Sequence, residues 1–280
     1  MVGHNKTFES YLESRTNVIV RHWNGIPIVI YDDHRWLLNV LYAMQKYNYE
    51  IPNLIFFDAH DDYGNVNLNG ADLLKKMEVN KWDEVDERKF LDFVEFEADP
   101  DDGNWLRIAC ELDMVNDVAL IGGKESSSIY QDTIHKSSLS GKDHRIYKFS
   151  QDLNSLYDHG GKFDSGYWEV GYQLPQFFSM EKGQPDTNTM APYIVDFDLD
   201  YFSIQIVDKY RIPWSQATFD YMYSKYDIGF NFIMSLLVNA KVITICREPA
   251  YCGGLGNAHQ ILWLLDNNFF NSELGTTPAI

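Results

Sequence analysis

The stretch Asn53-Leu54-Ile55-Phe56-Phe57-Asp58-Ala59-His60-Asp61-Asp62 joins an apolar run to an exit of carboxylates and imidazole. The run, bounded by Pro52, is continuous rather than alternating, which predicts a strand buried on both faces. Asp58, His60 and Asp62 follow at a spacing of two, so in extended chain their side chains share one face. Acids and an imidazole converging at the end of a buried strand repel one another and lose hydration. A divalent cation offsets both costs. Three other apolar runs lead to residues of the same kind: His34 after 25–31, Asp198 and Asp200 after 193–197, and Glu248 after 241–246. Open parallel sheets bind ligands beyond the carboxyl ends of their strands, so these segments can meet. Singly, each has a plainer reading, since strand-end acids form solvated turns and a lone histidine is ordinarily a structural group. Their conjunction predicts a metal centre.

The elements that must position these residues are legible from hydrophobic period. Residues 25–31, 53–58, 118–123, 193–200 and 241–246 read as strands. Residues 36–47, 105–112, 218–225, 229–237 and 258–266 read as helices, the last capped by Asn257. Turn residues fill 63–70, and 71–102 reads as charged surface helix ending in an acidic loop at 99–103. From 124 to 188 the periodicity weakens, suggesting an insertion or lid, with Tyr167, Trp168 and Tyr172 as candidates to line a groove. Strands separated by helices predict one α/β domain over 1–280, a mostly parallel sheet with helices on both faces.

Composition narrows the partners. Lys+Arg 23 against Asp+Glu 41 leaves a net charge of −18, which argues against nucleic acid and anionic membrane and suits a cationic substrate. Three cysteines give no disulfide framework, and Cys246, inside an apolar run, reads as a core residue. The polar first 16 residues lack the apolar core of a signal peptide, so a cytoplasmic protein is expected.

Asp58-Ala59-His60-Asp61-Asp62 and Asp196-Phe197-Asp198-Leu199-Asp200 resemble the Asp-Ala-His-x-Asp and Asp-x-Asp signatures of ureohydrolases, the arginase/agmatinase superfamily. With Tyr31-Asp32-Asp33-His34 and Cys246-Arg247-Glu248-Pro249, the chain is similar to an arginase-like branch that includes peptide arginases. Those enzymes convert arginine side chains of ribosomally made peptides to ornithine and release urea. The resemblance implies an arginase/deacetylase-like three-layer sandwich and two Mn²⁺ ions. His34, Asp58, Asp62 and Asp198 would hold one ion, and His60, Asp58, Asp198 and Asp200 the other. Oxygen-rich ligation with some imidazole suits Mn²⁺, although iron, cobalt or zinc would accept the same donors. Guanidinium is a poor electrophile, and a metal pair answers that by lowering the pKa of water. The resemblance further implies that Asp62 aims the nucleophile and that Glu248 pairs with the guanidinium fork-to-fork. Asp33 and Asp196 would stand behind the ligands or serve the fold alone. Without the resemblance, Glu248 reads as a helix cap or a partner of Arg247.

Departures from the superfamily pattern set the substrate expectation. Tyr31-Asp32-Asp33-His34-Arg35 replaces its Gly-Gly-Asp-His-Ser element, and Ser203 stands where its longer aspartate motif ends. The loop after Asp62 lacks the residues that bind the amino-acid ends of free arginine, and no histidine occupies the proton-shuttle place. A site that reads guanidinium alone implies an arginine-containing peptide, including a precursor with a leader. Free arginine, agmatine or another guanidino compound is the alternative. A general acid cannot be assigned; His135, His144, His159 and His259 are candidates by residue type only. The rivals from other classes are a metal-dependent deacetylase, whose tandem histidines are absent, a phosphatase, and a non-catalytic metal-binding protein.

Overall fold

The computed structural model describes residues 7–15, 17–60, 62–64, 69–98, 103–122, 130–149, 179–181, 184–186, 192–207, 210–223 and 228–276. In chain order these form α1 (Phe8–Glu13), β1 (Val18–Trp23), β2 (Ile26–Tyr31), a 3-10 turn (His34–Trp36) and α2 (Leu37–Lys46). There follow β3 (Asn53–Phe57), α3 (Gly70–Lys76), α4 (Glu87–Phe96), α5 (Trp105–Glu111), β4 (Val118–Ile121), β5 (Tyr130–Lys136) and β6 (Asp143–Phe149). A short hairpin, β7 (Ser179–Glu181) and β8 (Gln184–Asp186), precedes β9 (Tyr193–Asp198) and a 3-10 turn (Leu199–Phe202). The chain continues through β10 (Ser203–Val207), β11 (Tyr210–Pro213), α6 (Gln216–Met222), α7 (Ile228–Leu237), β12 (Val242–Cys246) and α8 (Leu255–Phe269).

Eight of these strands form one sheet in the order β1-β2-β12-β9-β3-β4-β6-β5. The interior pairs from β2 to β6 are all parallel, and β1 and β5 close the two edges antiparallel. Every residue of β3, β4, β9 and β12 is buried, the signature of strands covered on both sides. Side-chain alternation then divides the core in two. Leu54, Phe56, Ile194 and Val242 pack with α1 to α5, while Ile55, Phe57, Val195, Phe197, Ile243 and Ile245 pack with α6, α7 and α8. This is the expected α/β class, a mostly parallel sheet between two helical layers.

The layering decides where a ligand can lie. After β3 the chain passes through α3, α4 and α5 on one face and adds β4 on one side. After β9 it passes through α6 and α7 on the other face and adds β12 on the opposite side. The carboxyl ends of the neighbouring strands β3 and β9 therefore diverge around a crevice, the topological switch point of an open α/β sheet.

Some expectations need correction. Within 124–188, the spans 130–136 and 143–149 are not separate from the core but are strands of the main sheet. Their exposed, charged edge positions disguise the pattern. Tyr167, Trp168, Tyr172 and His159 lie outside the described residues. Asn257 does not cap the last helix, which begins at Leu255. Its amide instead donates to the carbonyls of Arg211 and Cys252 at 3.2 and 3.1 Å. Among the described residues no helix is long and apolar enough to cross a membrane.

Candidate metal centre

Beyond the β3–β9 crevice, Phe56 faces Asp196 in parallel register, so Asp58 follows at the level of Asp198. Asp196 and Asp198 alternate with Val195 and Phe197, which point the other way, and Cys246 at the end of β12 is paired with Asp198. Asp58 does not continue the strand. Its backbone N–H still donates to Ile121, but β3 has ended at Phe57 and the chain turns. Asp62 has φ +45°, in the left-handed region. The expected shared face of an extended Asp58-His60-Asp62 is therefore replaced by a turn that aims these residues differently. Asp58 and Asp62 go toward His34, and His60 goes toward Asp200.

His34 is the hub. It opens the 3-10 turn before α2, where the Asp33 carboxylate accepts from Arg35 N–H at 3.1 Å as the cap. Asp33 also pairs with the Arg35 guanidinium at 2.9 Å. It thus holds the turn, and among the described residues no hydrogen bond or ion pair of its own joins it to the acid cluster. The His34 ring, buried against Trp105 with centroids 4.6 Å apart, places Nδ1 2.7 Å from Asp62 Oδ2, 3.3 Å from Asp198 Oδ2 and 3.5 Å from Asp58 Oδ2. Its Nε2 lies 2.7 Å from Asp196 Oδ2. Asp196 in turn accepts from Tyr31 Oη at 3.0 Å and from the Thr244 hydroxyl. A carboxylate thus grips one imidazole nitrogen while the other faces three acids, the arrangement that orients a metal-binding histidine.

A second group lies beside it. His60 Nδ1 is 2.9 Å from Asp200 Oδ2 and 3.7 Å from Asp58 Oδ1. Asp58 Oδ1 accepts the His60 N–H at 2.6 Å, Asp200 Oδ1 the Ala59 N–H at 3.1 Å, and Asp198 Oδ1 the Asp200 N–H at 3.0 Å. One oxygen of each carboxylate is therefore tied to backbone, which fixes the plane of the other. Donor atoms of His34, Asp58 and Asp62 lie within 4.8 Å of one another, as do those of Asp58, His60 and Asp200, and those of His34, Asp198, Cys246 and Glu248.

The electrostatics follow from that crowding. Burial first, then Asp62, Asp198 and Asp200, push Asp58 well above the carboxylate range. Burial and Asp200 raise Asp198 to about 6. Burial also opposes the charge on Asp62, but His34 and the Trp105 indole N–H outweigh it and lower its pKa. For His34, burial works against the imidazolium, yet Asp196 and Asp62 prevail and raise it well above its usual value. Asp58 and Asp198, at the middle of the cluster, are thus both raised by burial and by neighbouring carboxylates.

Donor chemistry fits a divalent ion. Asp58 Oδ2 is buried without a hydrogen bond, and His34 Nδ1, equally buried, faces three acids rather than one dedicated partner. A buried orphan of this kind costs about 1–3 kcal/mol, and more when charged, so its retention calls for a partner. Glu248 is largely buried, and among the described residues no Lys or Arg forms an ion pair with it. Arg247 turns to Asp32, with nitrogen–oxygen distances of 2.6 and 2.9 Å. That removes the reading of Glu248 as the partner of Arg247. Burial and then Asp198 raise its carboxyl well above the ordinary range. Its φ of +32° is another left-handed strain at the site.

Sequence reasoning missed three residues here. Trp105 opens an expected helix and Cys246 closes an apolar run, and neither gives a chemical signal in the sequence. Arg211 sits in a short hairpin where arginine is ordinarily solvated. Of the histidines considered as general acids, His135 and His144 lie elsewhere, bonding with Tyr63, Asp113 and Asn116 beside the sheet edge.

No protein-family model matches the chain, and no curated protein matches it. Among solved structures it is similar to a hypothetical agmatinase from Burkholderia thailandensis, at 13% identity and a TM-score of 0.41. The match covers 88% of this chain and 59% of that one, so the chain spans less than two thirds of its length.

Proposed function

We propose that the chain is a manganese-dependent hydrolase of the ureohydrolase kind. It would cleave the guanidinium group of an arginine within a ribosomally made peptide, with water, to ornithine and urea. The observation that carries the reading is the half-buried Glu248 carboxylate, from which Arg247 turns away, beside an acid–imidazole cluster in which His34 Nδ1 faces three acids and Asp58 Oδ2 has no hydrogen bond. Such a site wants cations of two kinds.

His34, Asp58, Asp62 and Asp198 would hold one ion, and Asp58, His60 and Asp200, with Asp198 between the groups, the other. When bound, the ions supply a nucleophile at neutral pH by lowering the pKa of water. The chain's own residues supply orientation. Asp196 fixes the His34 ring, and Asp62, held by the Trp105 N–H, accepts a hydrogen bond from the attacking group and aims it. Glu248 receives the planar guanidinium, two N–H donors to two oxygens, in a place where water is scarce and the pair correspondingly strong. An overall charge of −18 favours approach of a cationic peptide.

The test is urea release by the Mn²⁺-loaded protein from arginine-containing peptides, free arginine and agmatine. Turnover of the peptides above the small guanidines is expected. Glu248→Gln should retain its metal content and lose activity by about 10²-fold or more, the scale of a lost charge-assisted pair. Loss of the metal in that variant reassigns Glu248 as a ligand. Turnover of free arginine alone removes the peptide reading.

A further inference from the structure

We propose that Arg211 is a resident cation of the second metal position, making the two positions unequal in affinity. The proposal rests on the dinuclear reading above and concerns which of its two positions fills first.

Arg211 lies on β11, yet its side chain is buried and turned into the acid cluster. Its Nη1 donates to Asp200 Oδ2 at 2.9 Å and to Ser203 Oγ at 3.1 Å, and Nη2 lies 3.3 Å from His60 Nε2. Guanidinium only donates, so His60 Nε2 accepts here and the ring proton resides on Nδ1, which faces Asp200 Oδ2 at 2.9 Å. Asp200 Oδ2 is thus shared between imidazole and guanidinium.

The contrast with the first position is chemical. There Asp58 Oδ2 has no hydrogen bond and His34 Nδ1 faces acids alone, with no arginine or lysine beside it among the described residues. At the second position both His60 and Asp200 are already satisfied by Arg211 and by each other. An ion arriving there must share Asp200 Oδ2 with a fixed positive charge, whereas an ion at His34 meets only acids and an imidazole.

The placement is built into the fold. Asn257 donates to the Arg211 carbonyl at 3.2 Å. Gly253, at φ +86°, lies so close that a Cβ there would stand 2.5 Å from the same carbonyl oxygen. The glycine-rich turn after β12 therefore clasps the backbone that delivers the guanidinium. Arg211 is a positioning residue: it keeps Asp200 and His60 in register and supplies part of the charge that a second dication would otherwise bring.

The experiment is Mn²⁺ titration of the full, chelator-stripped chain, read by calorimetry and by electron paramagnetic resonance. Wild type should bind one ion tightly, with the hyperfine pattern of isolated Mn²⁺, and a second at least ten-fold more weakly. Arg211→Met should tighten the second ion at least ten-fold and give a spin-coupled signal at lower metal, whereas Arg211→Lys should keep the wild-type inequality. Two ions of equal affinity in wild type overturn the proposal and leave the dinuclear reading standing, whether or not the methionine variant folds. A folded Arg211→Met that keeps the first ion and does not tighten the second also overturns it. A wild-type chain that takes up no divalent ion ends both readings.

Discussion

Asp196 is not among the donors proposed to touch an ion, yet side chains from three separate segments converge on it: His34, Tyr31 and Thr244. Its effect runs through His34, whose ring it fixes so that Nδ1 faces the acids. Asp196→Asn keeps the volume and leaves an acceptor oxygen while removing the charge that holds the imidazole N–H. The expected result is Mn²⁺ affinity lower by about 10–100-fold with little loss of fold, measured by calorimetry, as for carboxylates behind other metal-binding histidines. Unchanged affinity would make Asp196 a purely structural residue. At this scale the sequence was partly legible. Asp58, His60, Asp198 and Asp200 announce themselves by spacing after apolar runs. Tyr31, Thr244 and Cys246 do not, because their part depends on which strands are neighbours, and register is not written in a single strand's pattern. Arg211 was hidden for the opposite reason: an arginine in a short polar hairpin looks solvated, and only the approach of Asp200 and His60 gives it a role.

At the scale of elements, the site is made by how strands end rather than by how they run. β3 stops at Phe57, and the chain leaves its extended course before Asp62. Gly122, just past β4, makes room for that departure. At φ +131° it has no Cβ, and one placed there would stand 2.2 Å from the Asp58 carbonyl oxygen and 2.7 Å from the Tyr201 ring. Neither neighbour can yield, since one is backbone and the other is buried. Gly122→Ala is therefore expected to cost about 1–3 kcal/mol in strain alone, and to move Asp58 away from His34. The measurements are thermal unfolding and Mn²⁺ content after dialysis. A variant with wild-type Tm and full metal shows that the strand exit is softer than its contacts imply. The buried strands were easy to read, since five- and six-residue apolar runs between helices have few other uses. The edge strands β1 and β5, and β6 beside the second edge, were not, because most of their solvent-facing residues are charged or polar. The turn after β3 was misjudged because a period of two was extended past the point where the strand stops.

For the whole molecule, fold and charge act together. The switch between helices on one face and helices on the other opens a crevice at β3 and β9, and acids and imidazoles from four segments gather there around Arg211 and Trp105. Protons on Asp58, Asp198, Glu248 and His34, all raised in pKa, stand where the proposed cations would bind. The sign of the resulting pH dependence is definite. A carboxyl raised to about 6 in the folded chain, from an ordinary value near 3.8, adds stability that is complete below about pH 4 and lost as pH climbs through about 6. Asp198 is fully buried, so the loss amounts to about 2–3 kcal/mol with the cluster left to itself. Divalent ions replace those protons, so their stabilisation must grow over the same interval. The rise in Tm on adding saturating Mn²⁺ is accordingly expected to be small near pH 5 and to increase through pH 6, where Asp198 gives up its proton. Apparent affinity should gain about ten-fold per pH unit for each proton displaced. Calorimetric titrations in buffers of different ionisation enthalpy count those protons directly. An equal Tm gain at pH 5 and pH 7.5, with no proton release, would place the ions elsewhere on this acidic surface rather than among Asp58, Asp198 and His34.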